Sequence, residues 1–236
     1  MGEPAGPRVR RVIAIDGPAA SGKSTTARRV AARLGFTHLN SGLLYRAIAW
    51  RALAEAWDED DPALEARLRT LHLALVPDGR GLRVVVDGED PGAVLQGRRV
   101  SSRVSAVSTH PAVRAVVLER LREARERFDL VCDGRDIGTT VFPDADLKIF
   151  LVADAEERAR RRLLDHGEPA GAAAVAREAA RLRARDESDA GRAHSPLRRA
   201  HDAVEIDTTD RTRDEVVDAI VALALGRGTE RGPPAA

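Results

Sequence analysis

One octet near the start of the chain has the residue types and spacing of a phosphate-binding loop. Gly17 and Gly22 bracket it, and Lys23 and Ser24 close it. Glycines let the backbone curl so that several N–H groups point at one phosphate, and a following helix adds its positive end. The lysine suits the β and γ phosphates of ATP, and the hydroxyl suits Mg²⁺. The expected ATP contacts are Gly17, Pro18, Ala19, Ala20, Ser21, Gly22, Lys23, Ser24 and Thr25.

A second group of charged residues follows the short apolar run at residues 130–132. Asp133, Arg135 and Asp136 come directly after this run. A carboxylate at the carboxyl end of a buried strand lies at the edge where α/β sheets bind ligands. We therefore expect Asp133 to hold Mg²⁺ through water beside Ser24, and Arg135 to contact both the donor and the acceptor phosphates. Taken alone, this segment also fits a structural ion pair.

Arginines at helical spacing form a third group. Arg158, Arg161 and Arg162 lie at i, i+3 and i+4 and share one helix face. We expect a mobile lid that brings Arg158 and Arg162 over the transferring γ-phosphoryl group, where their charge offsets developing negative charge. The sequence does not decide between Arg161 and Arg162. Because Glu156 and Glu157 precede them, a solvated helix with salt bridges is the alternative.

Two further segments suit a second phosphate. Ser41 opens a helix-like stretch with Arg46 one turn further on, although an ordinary helix cap with a surface arginine looks the same. Arg185, Asp189 and Arg192 recur in a polar stretch that a solvated loop would resemble.

Strand and helix patterns alternate along the chain, which predicts an α/β fold. Strands are expected at 12–15, 130–132, 147–152 and 203–206, and helices at 23–34, 41–56, 111–127, 155–164, 175–185 and 212–225. Between residues 60 and 96, Asp-Gly pairs separate short alternating runs at 71–76, 82–86 and 93–95, which predicts an antiparallel β insert. Thr212 and Glu215 form a capping box at the start of the last helix.

Composition narrows the possible partners. The 236 residues include 38 basic and 37 acidic side chains, a net charge of +1, so no strong field attracts nucleic acid. Aromatic residues make up 3%, too few for stacking platforms that bind single strands. The single Cys132 indicates a reducing compartment, and neither a secretory signal nor a membrane span is visible. We expect a cytoplasmic protein without nucleic-acid or membrane partners.

Together these segments resemble the bacterial cytidylate kinase family of P-loop nucleoside monophosphate kinases, over roughly residues 10–225. The resemblance rests on residues 15–24, 40–46, 133–145, 148–151, 156–159 and 185–192 in this order. It implies transfer of the γ-phosphoryl group of ATP, with Mg²⁺, to CMP or dCMP, giving CDP or dCDP in pyrimidine nucleotide metabolism.

The resemblance also implies a P-loop NTPase core, a parallel sheet flanked by helices, with the small antiparallel β insert in the monophosphate-binding part and a helical lid. We expect one kinase domain over residues 11–225, acting as a monomer. Its core comprises 11–38, 128–153 and 200–225, its monophosphate-binding part about 39–127, and its lid with the following helix about 154–199. Residues 1–10 and 226–236 are expected to be disordered tails.

Site residues follow from the resemblance position by position. The cytosine edge would be recognised by Ser105, Arg114 and Asp136, the sugar held by Ser41, Arg185 and Asp189, and the acceptor phosphate held by Arg46, Arg135 and Arg192. The expected catalytic groups are Lys23, Arg135, Arg158 and Arg162, and the expected metal ligands are Ser24 and Asp133. The chain departs from the family at Asn40, where many members have Asp, and the loss of that charge weakens a metal or water contact.

Three alternatives differ in substrate or class. A P-loop kinase for another monophosphate such as UMP is the nearest, and the sequence does not decide among CMP, dCMP and UMP. A small-alcohol kinase has no use for a set of residues that recognises a base. A GTP-dependent switch would need an Asn-Lys-x-Asp segment, and neither Lys23 nor Lys148 follows an asparagine.

Overall fold

A five-stranded parallel sheet forms the centre of the computed structural model, which describes residues 10–57, 63–79, 81–192 and 194–230. The strands of the protein are β1 (Val12–Asp16), β2 (Thr37–Asn40), β3 (Leu73–Pro77), β4 (Leu82–Val86), β5 (Leu130–Asp133), β6 (Leu147–Val152) and β7 (Val204–Asp207). The central sheet has the order β2-β5-β1-β6-β7, and β3 and β4 form a separate pair. All pairs in the central sheet are parallel, so the strands end at one common edge.

Helices cover both faces of this sheet. They are α1 (Lys23–Leu34), α2 (Ser41–Ala54), α3 (Leu64–Thr70), α4 (Arg98–Val107), α5 (Pro111–Arg127), α6 (Ala155–Asp165), α7 (Ala172–Ala190) and α8 (Arg213–Glu230). A 3₁₀ turn spans Gly92–Gln96, and a π-helical turn spans Ile137–Val141. Within the described residues, no helix is both long and apolar enough to cross a membrane.

Alternate residues of the central strand belong to different apolar cores. Ile13 and Ile15 pack with the apolar faces of α1 and α8. Val12 and Ala14 pack with α2 and α5 on the opposite face. Because successive side chains of a strand point to opposite faces, a central parallel strand is buried on both sides. This explains the uninterrupted β-branched run before the octet, and it holds the phosphate-binding segment on a rigid base.

The predicted antiparallel insert is confirmed as the β3–β4 hairpin, which pairs Leu73 with Val86 and Leu75 with Val84. The third strand expected at 93–95 is wrong, because those residues form the 3₁₀ turn. Pro91 before the turn and Gly97 after it close a short segment in which only Leu95 is buried.

Several other boundaries differ from the sequence expectation. β2, α3 and α4 are short and were not predicted, since four to ten residues give little periodicity. α7 extends the helix expected at 175–185 in both directions. α8 continues to Glu230, so its expected end at residue 225 and the start of a tail at 226 are too early. The rest of the expected tails, residues 1–9 and 231–236, lies outside the described residues.

Candidate active site

A cleft of about 560 Å³ lies at the edge where the parallel strands end. Its walls come from the octet and the start of α1, the β2–α2 junction, the loop after β5, α6, α7 and the loop before α8. Parallel α/β sheets bind ligands at this edge because loops from several strands meet there. The expected site residues that line it are Ala19, Ala20, Ser21, Gly22, Lys23, Ser24, Thr25, Ser41, Arg46, Arg114, Asp133, Arg135, Asp136, Arg162, Arg185, Asp189 and Arg192.

Backbone geometry requires glycine at the first position of the phosphate-binding octet and favours it at Gly22. Gly17 has φ 147°, and a Cβ there would lie 2.1 Å from the Leu151 carbonyl oxygen on β6. Gly22 has φ 86°, a left-handed conformation, at the cap of α1. The octet lines the cleft from Ala19 onward, and contacts of Gly17 and Pro18 with ATP stay a prediction.

Lys23 is folded back onto its own loop. Its Nζ donates to the Pro18 carbonyl oxygen at 2.5 Å and to Ser21 Oγ at 3.3 Å. Burial lowers the pKa of Lys23 well below its ordinary value, and Arg135 lowers it further. A bound polyphosphate would supply the anionic partner that this buried ammonium lacks.

Oxygen and nitrogen atoms converge where β5 ends beside α1. Ser24 Oγ donates to Asp133 Oδ2 at 2.5 Å, and His38 Nε2 lies 2.7 Å from Asp133 Oδ1. Asn40 Nδ2 donates to Ser24 Oγ at 3.0 Å, so Asn40 belongs to this corner although it was left out of the expected site. No group of three or more His, Cys, Asp and Glu side chains suited to a metal occurs in the described part of the chain. The corner therefore fits an ion that is held mainly by phosphate oxygens, with one hydroxyl and one carboxylate from the protein.

Four charged side chains build an anion site at the centre of the cleft. Asp189 is buried and accepts from Arg135 Nε at 3.0 Å and from Arg192 Nη2 at 2.5 Å. The Nε atoms of Arg185 and Arg192 are buried and have no hydrogen-bond partner among the described residues. Burial lowers the pKa of Arg185 to about 10, with Arg135 as the next cause. Buried guanidinium groups with unused donors are suited to a phosphate.

The first turns of α2 face the same cleft. Ser41 Oγ donates to the Asp133 carbonyl oxygen at 2.9 Å, which joins the start of α2 to the end of β5. Arg46 Nη1 donates to the Leu95 carbonyl oxygen and to Ser101 Oγ, both at 2.8 Å. Burial lowers the pKa of Arg46, and other arginines of the cleft lower it further.

A buried ion pair closes the far end of the cleft. Arg114 donates to Asp136, and both side chains are largely buried. The guanidinium carbon of Arg114 lies 5.7 Å from the centre of the Tyr45 ring. Burial raises the pKa of Asp136, and Arg114 opposes this shift. A second cavity of about 260 Å³, mostly apolar, shares Tyr45, Arg114 and Asp136 with the cleft, so the pair borders space that could accommodate a planar ring.

The structure does not bring Ser105 to the cleft. Ser105 is exposed on α4, whereas Ser108, at the end of that helix, is buried and lines the cleft. Arg192 Nη2 donates to Ser108 Oγ at 3.2 Å. The expected role of Ser105 in recognising the base is therefore corrected, because α4 turns a different serine inward at its end.

Arg158 is also absent from the cleft. Its guanidinium is buried against the octet, where Nη1 donates to the Ala19 carbonyl oxygen at 3.0 Å. Side chains of a helix point back towards its N-terminus, so an arginine in the first turn of α6 reaches the sheet edge beneath the cleft. Arg161 and Arg162, one turn further, do line the cleft. The expectation that Arg158 lies over the γ-phosphoryl group is therefore corrected.

Asp16 supports the loop that carries Arg135 and Asp136. Its carboxylate accepts from the backbone N–H groups of Ile137 at 2.9 Å and Gly138 at 2.7 Å. Burial raises the pKa of Asp16 to about 6 in spite of these two hydrogen bonds. Its place just before the octet is the one sequence signal that could have found this role.

Comparisons with known proteins agree on one family. The family model described as "Cytidylate kinase" matches residues 13–225. The chain is 46% identical over 223 residues to "Cytidylate kinase" of Geobacillus kaustophilus, covering 92% of this chain and 98% of the relative. It is 43% identical over 219 residues to "Cytidylate kinase" of Streptomyces griseus, covering 92% and 93%. A crystal structure of an uncharacterized protein from Eubacterium ventriosum has a TM-score of 0.50 at 13% identity, covers 91% of this chain and 98% of that one, and supports the fold alone.

Proposed function

The chain belongs to the cytidylate kinase family, and from this premise we propose that it transfers the γ-phosphoryl group of ATP to CMP or dCMP and how its residues divide the reaction. The observation that carries the proposal is the shape of one cleft. The phosphate-binding octet, a set of arginines with unused donors and the Arg114–Asp136 pair all line it. A donor triphosphate, an acceptor phosphate and a base can thus be bound side by side.

We assign recognition of cytosine to Arg114 and Asp136. Cytosine presents an amino group that a carboxylate accepts from, and a ring nitrogen and a carbonyl oxygen that a guanidinium donates to. Uracil presents a carbonyl oxygen where cytosine has its amino group, so it would face the Asp136 carboxylate with like polarity. A buried polar site discriminates strongly because an unmatched partner is left without its hydrogen bond.

The acceptor phosphate is assigned to Arg46, Arg135 and Arg192, and the sugar to Ser41, Arg185 and Asp189, all of which line the cleft. Asp189 holds Arg135 and Arg192 in place from one side, which leaves buried donors of Arg185 and Arg192 for the ligand. A phosphate held this way is oriented with one oxygen towards the donor. Correct orientation of two reactants supplies a large share of the rate enhancement in such transfers.

In the transfer step, an oxygen of the CMP phosphate forms a bond to the γ-phosphorus of ATP. The bond between that phosphorus and the β–γ bridging oxygen breaks, and ADP leaves. Lys23, Arg135 and Arg162 neutralise the charge that spreads over the transferred group, so no protein nucleophile is needed. For this, Lys23 exchanges its hydrogen bond with the Pro18 carbonyl oxygen for one with a phosphate.

Ser24 and Asp133 are proposed to hold Mg²⁺, the carboxylate through a water molecule. Their oxygens already lie 2.5 Å apart, and hard oxygen ligands suit this ion. When bound, the ion withdraws charge from the β and γ phosphate oxygens. His38 and Asn40 orient Asp133 and Ser24 by their hydrogen bonds.

We further propose a cytoplasmic monomer that acts in pyrimidine nucleotide metabolism without a nucleic-acid partner. The near-neutral charge supports the last point, and the single buried cysteine supports a reducing compartment.

The test is a coupled assay of ADP release with Mg-ATP and a panel of acceptors: CMP, dCMP, UMP, AMP, GMP and shikimate. We expect strong turnover with CMP and dCMP, weak turnover with UMP and none with the purines or shikimate. Turnover with a purine monophosphate alone would refute the assignment of Arg114 and Asp136. Absence of turnover with every acceptor, despite tight ADP binding, would refute the kinase activity.

A further inference from the structure

The carboxylate of Asp186 and the guanidinium of Arg158 both form hydrogen bonds with the backbone of one residue of the phosphate-binding octet. Ala19 N–H donates to Asp186 Oδ1 at 2.9 Å, and the Ala19 carbonyl oxygen accepts from Arg158 Nη1 at 3.0 Å. The two side chains also bond to each other, because Arg158 Nη1 lies 2.5 Å from Asp186 Oδ2. Both polar groups of one loop residue are thus held by one ion pair.

This ion pair joins the octet to α6 and α7. Arg158 lies in the first turn of α6, Asp186 lies in α7, and Arg158 Nε also donates to the Ala153 carbonyl oxygen after β6. The side chains of Arg158 and Asp186 are only 8% and 15% exposed, so their hydrogen bonds are shielded from water. A buried pair of this kind is stabilising only when further hydrogen bonds satisfy both ions, and the Ala19 and Ala153 backbone groups provide them.

Apolar packing fixes the same loop residue. The Ala19 side chain is 2% exposed and packs in a small cluster with Ala159 and Leu163 of α6 and with Val175, Ala179 and Leu182 of α7. Ala20, the next residue, has φ 59°, a left-handed conformation that is unfavourable for any residue with a Cβ. Such a conformation persists only when neighbouring contacts enforce it.

We propose that Arg158 and Asp186 are positioning residues that hold the octet in its phosphate-binding shape and couple it to the lid helices. They keep Ala19 and the left-handed Ala20 in place, so that the backbone N–H groups of the following residues point into the cleft. The proposal rests on the assignment of the octet to ATP. Neither side chain lines the cleft, which separates this role from that of the arginines that do.

The role predicts an effect on the donor diphosphate, which distinguishes it from a contact with the γ-phosphate. The probes are ADP, the non-hydrolysable analogue AMP-PNP and CMP, each titrated by calorimetry into the full chain. Arg158→Gln and Asp186→Asn should each raise the Kd of ADP and of AMP-PNP about tenfold, in equal proportion, because a buried charge-assisted hydrogen bond is lost. The Kd of CMP should stay within about twofold of the original protein.

Two matched controls sit on exposed positions of α7. Arg183→Gln and Glu187→Gln change the same charges without touching the octet and should leave all three affinities unchanged. The double variant of Arg158 and Asp186 should bind ADP only a little more weakly than either single variant, because each substitution already disrupts the same ion pair. Arg158→Lys, which keeps the charge but has a single point of donation, should weaken ADP binding by an intermediate factor.

Each outcome decides the proposal. Weakened AMP-PNP binding with intact ADP binding would make Arg158 a γ-phosphate contact and overturn the positioning role. Unchanged binding of both would overturn it as well. Loss of CMP binding and a lower melting temperature together with loss of ADP binding would assign the pair to general stability, again against the proposal. The original protein serves as the test of the proposed function, since it must bind ADP and turn over CMP whatever the variants do.

Discussion

The raised pKa of the buried Asp16 carboxyl can be tested by measuring how protein stability depends on pH. The change is Asp16→Asn, which removes a titrating carboxylate while keeping its shape. In the folded protein, burial raises the pKa of Asp16 from 3.8 to about 6, while Lys23 and two backbone N–H groups oppose the shift. Because the folded-state pKa is higher than the unfolded value, folding favours the protonated acid. The free energy of unfolding therefore falls as pH rises from about 4 through about 6.

The size of this effect follows from the pKa difference. A shift of about two units corresponds to roughly 3 kcal/mol between low and high pH, at about 1.4 kcal/mol per unit. Asp16 is only 4% exposed, so screening by solvent reduces this free-energy change very little. About half of the change falls between about pH 5 and pH 7.5, since the unfolded chain begins to release this proton near pH 4.

The assay is urea unfolding of the original protein and of Asp16→Asn at several pH values across this range. Asparagine cannot accept both backbone hydrogen bonds, but that loss is the same at every pH. The difference in unfolding free energy, original minus variant, should therefore fall by about 1.5 kcal/mol as the pH rises from about 5 to 7.5. Asp207→Asn is the control that should stay flat, because hydrogen bonds from Thr209 lower the pKa of the exposed Asp207, so this carboxylate is ionised in both the folded and the unfolded chain across the whole range. A flat or rising difference for Asp16→Asn would refute the account of a buried, destabilised carboxylate.

Three further predictions concern the site. Arg135→Ala should lower kcat for CMP by roughly 100-fold or more, because a guanidinium at the phosphates is lost, and near-original turnover would contradict its assignment. Asp136→Asn should lower kcat/KM for CMP by roughly 10- to 100-fold and improve the ratio of UMP to CMP, since an amide can donate to uracil; an unchanged ratio would count against the base assignment. Gly17→Ala should destabilise the fold by about 4 kcal/mol in urea, because its Cβ would lie 2.1 Å from the Leu151 carbonyl oxygen, whereas Gly22→Ala, with open space around it, should cost only about 1 kcal/mol. Equal losses at the two glycines would show that this steric argument is wrong.

Features encoded by neighbouring residues could be predicted from the sequence. The octet carries its own chemistry in eight consecutive positions, and the strand before it and α1 after it were placed from a short β-branched run and a helix-like pattern. The Thr212–Glu215 capping box is confirmed by reciprocal hydrogen bonds, because it involves residues three apart. The order of such segments was also enough to identify the family, which the family model and the relatives confirm.

The partner of each charged side chain could be decided only by the tertiary structure. Helical spacing correctly placed Arg158, Arg161 and Arg162 on one face, but it says nothing about which turn meets which neighbour. Arg158 donates a hydrogen bond to Ala19, which is 139 positions away in the chain. Arg161 and Arg162, one turn later in α6, line the cleft instead. The choice of Ser108 over Ser105 likewise depends on where α4 ends against the rest of the fold.

The burial of individual carboxylates was also decided only by the tertiary structure. Asp16 and Asp189 are acidic residues like many others in the sequence, yet one caps the loop after β5 and the other orders two arginines. Their roles come from backbone and guanidinium groups that lie far away along the chain and become neighbours only when the sheet and the helices have packed. Local sequence determines which residues can bind phosphate, and long-range packing determines which of them face it, because direction and desolvation depend on groups that no short segment contains.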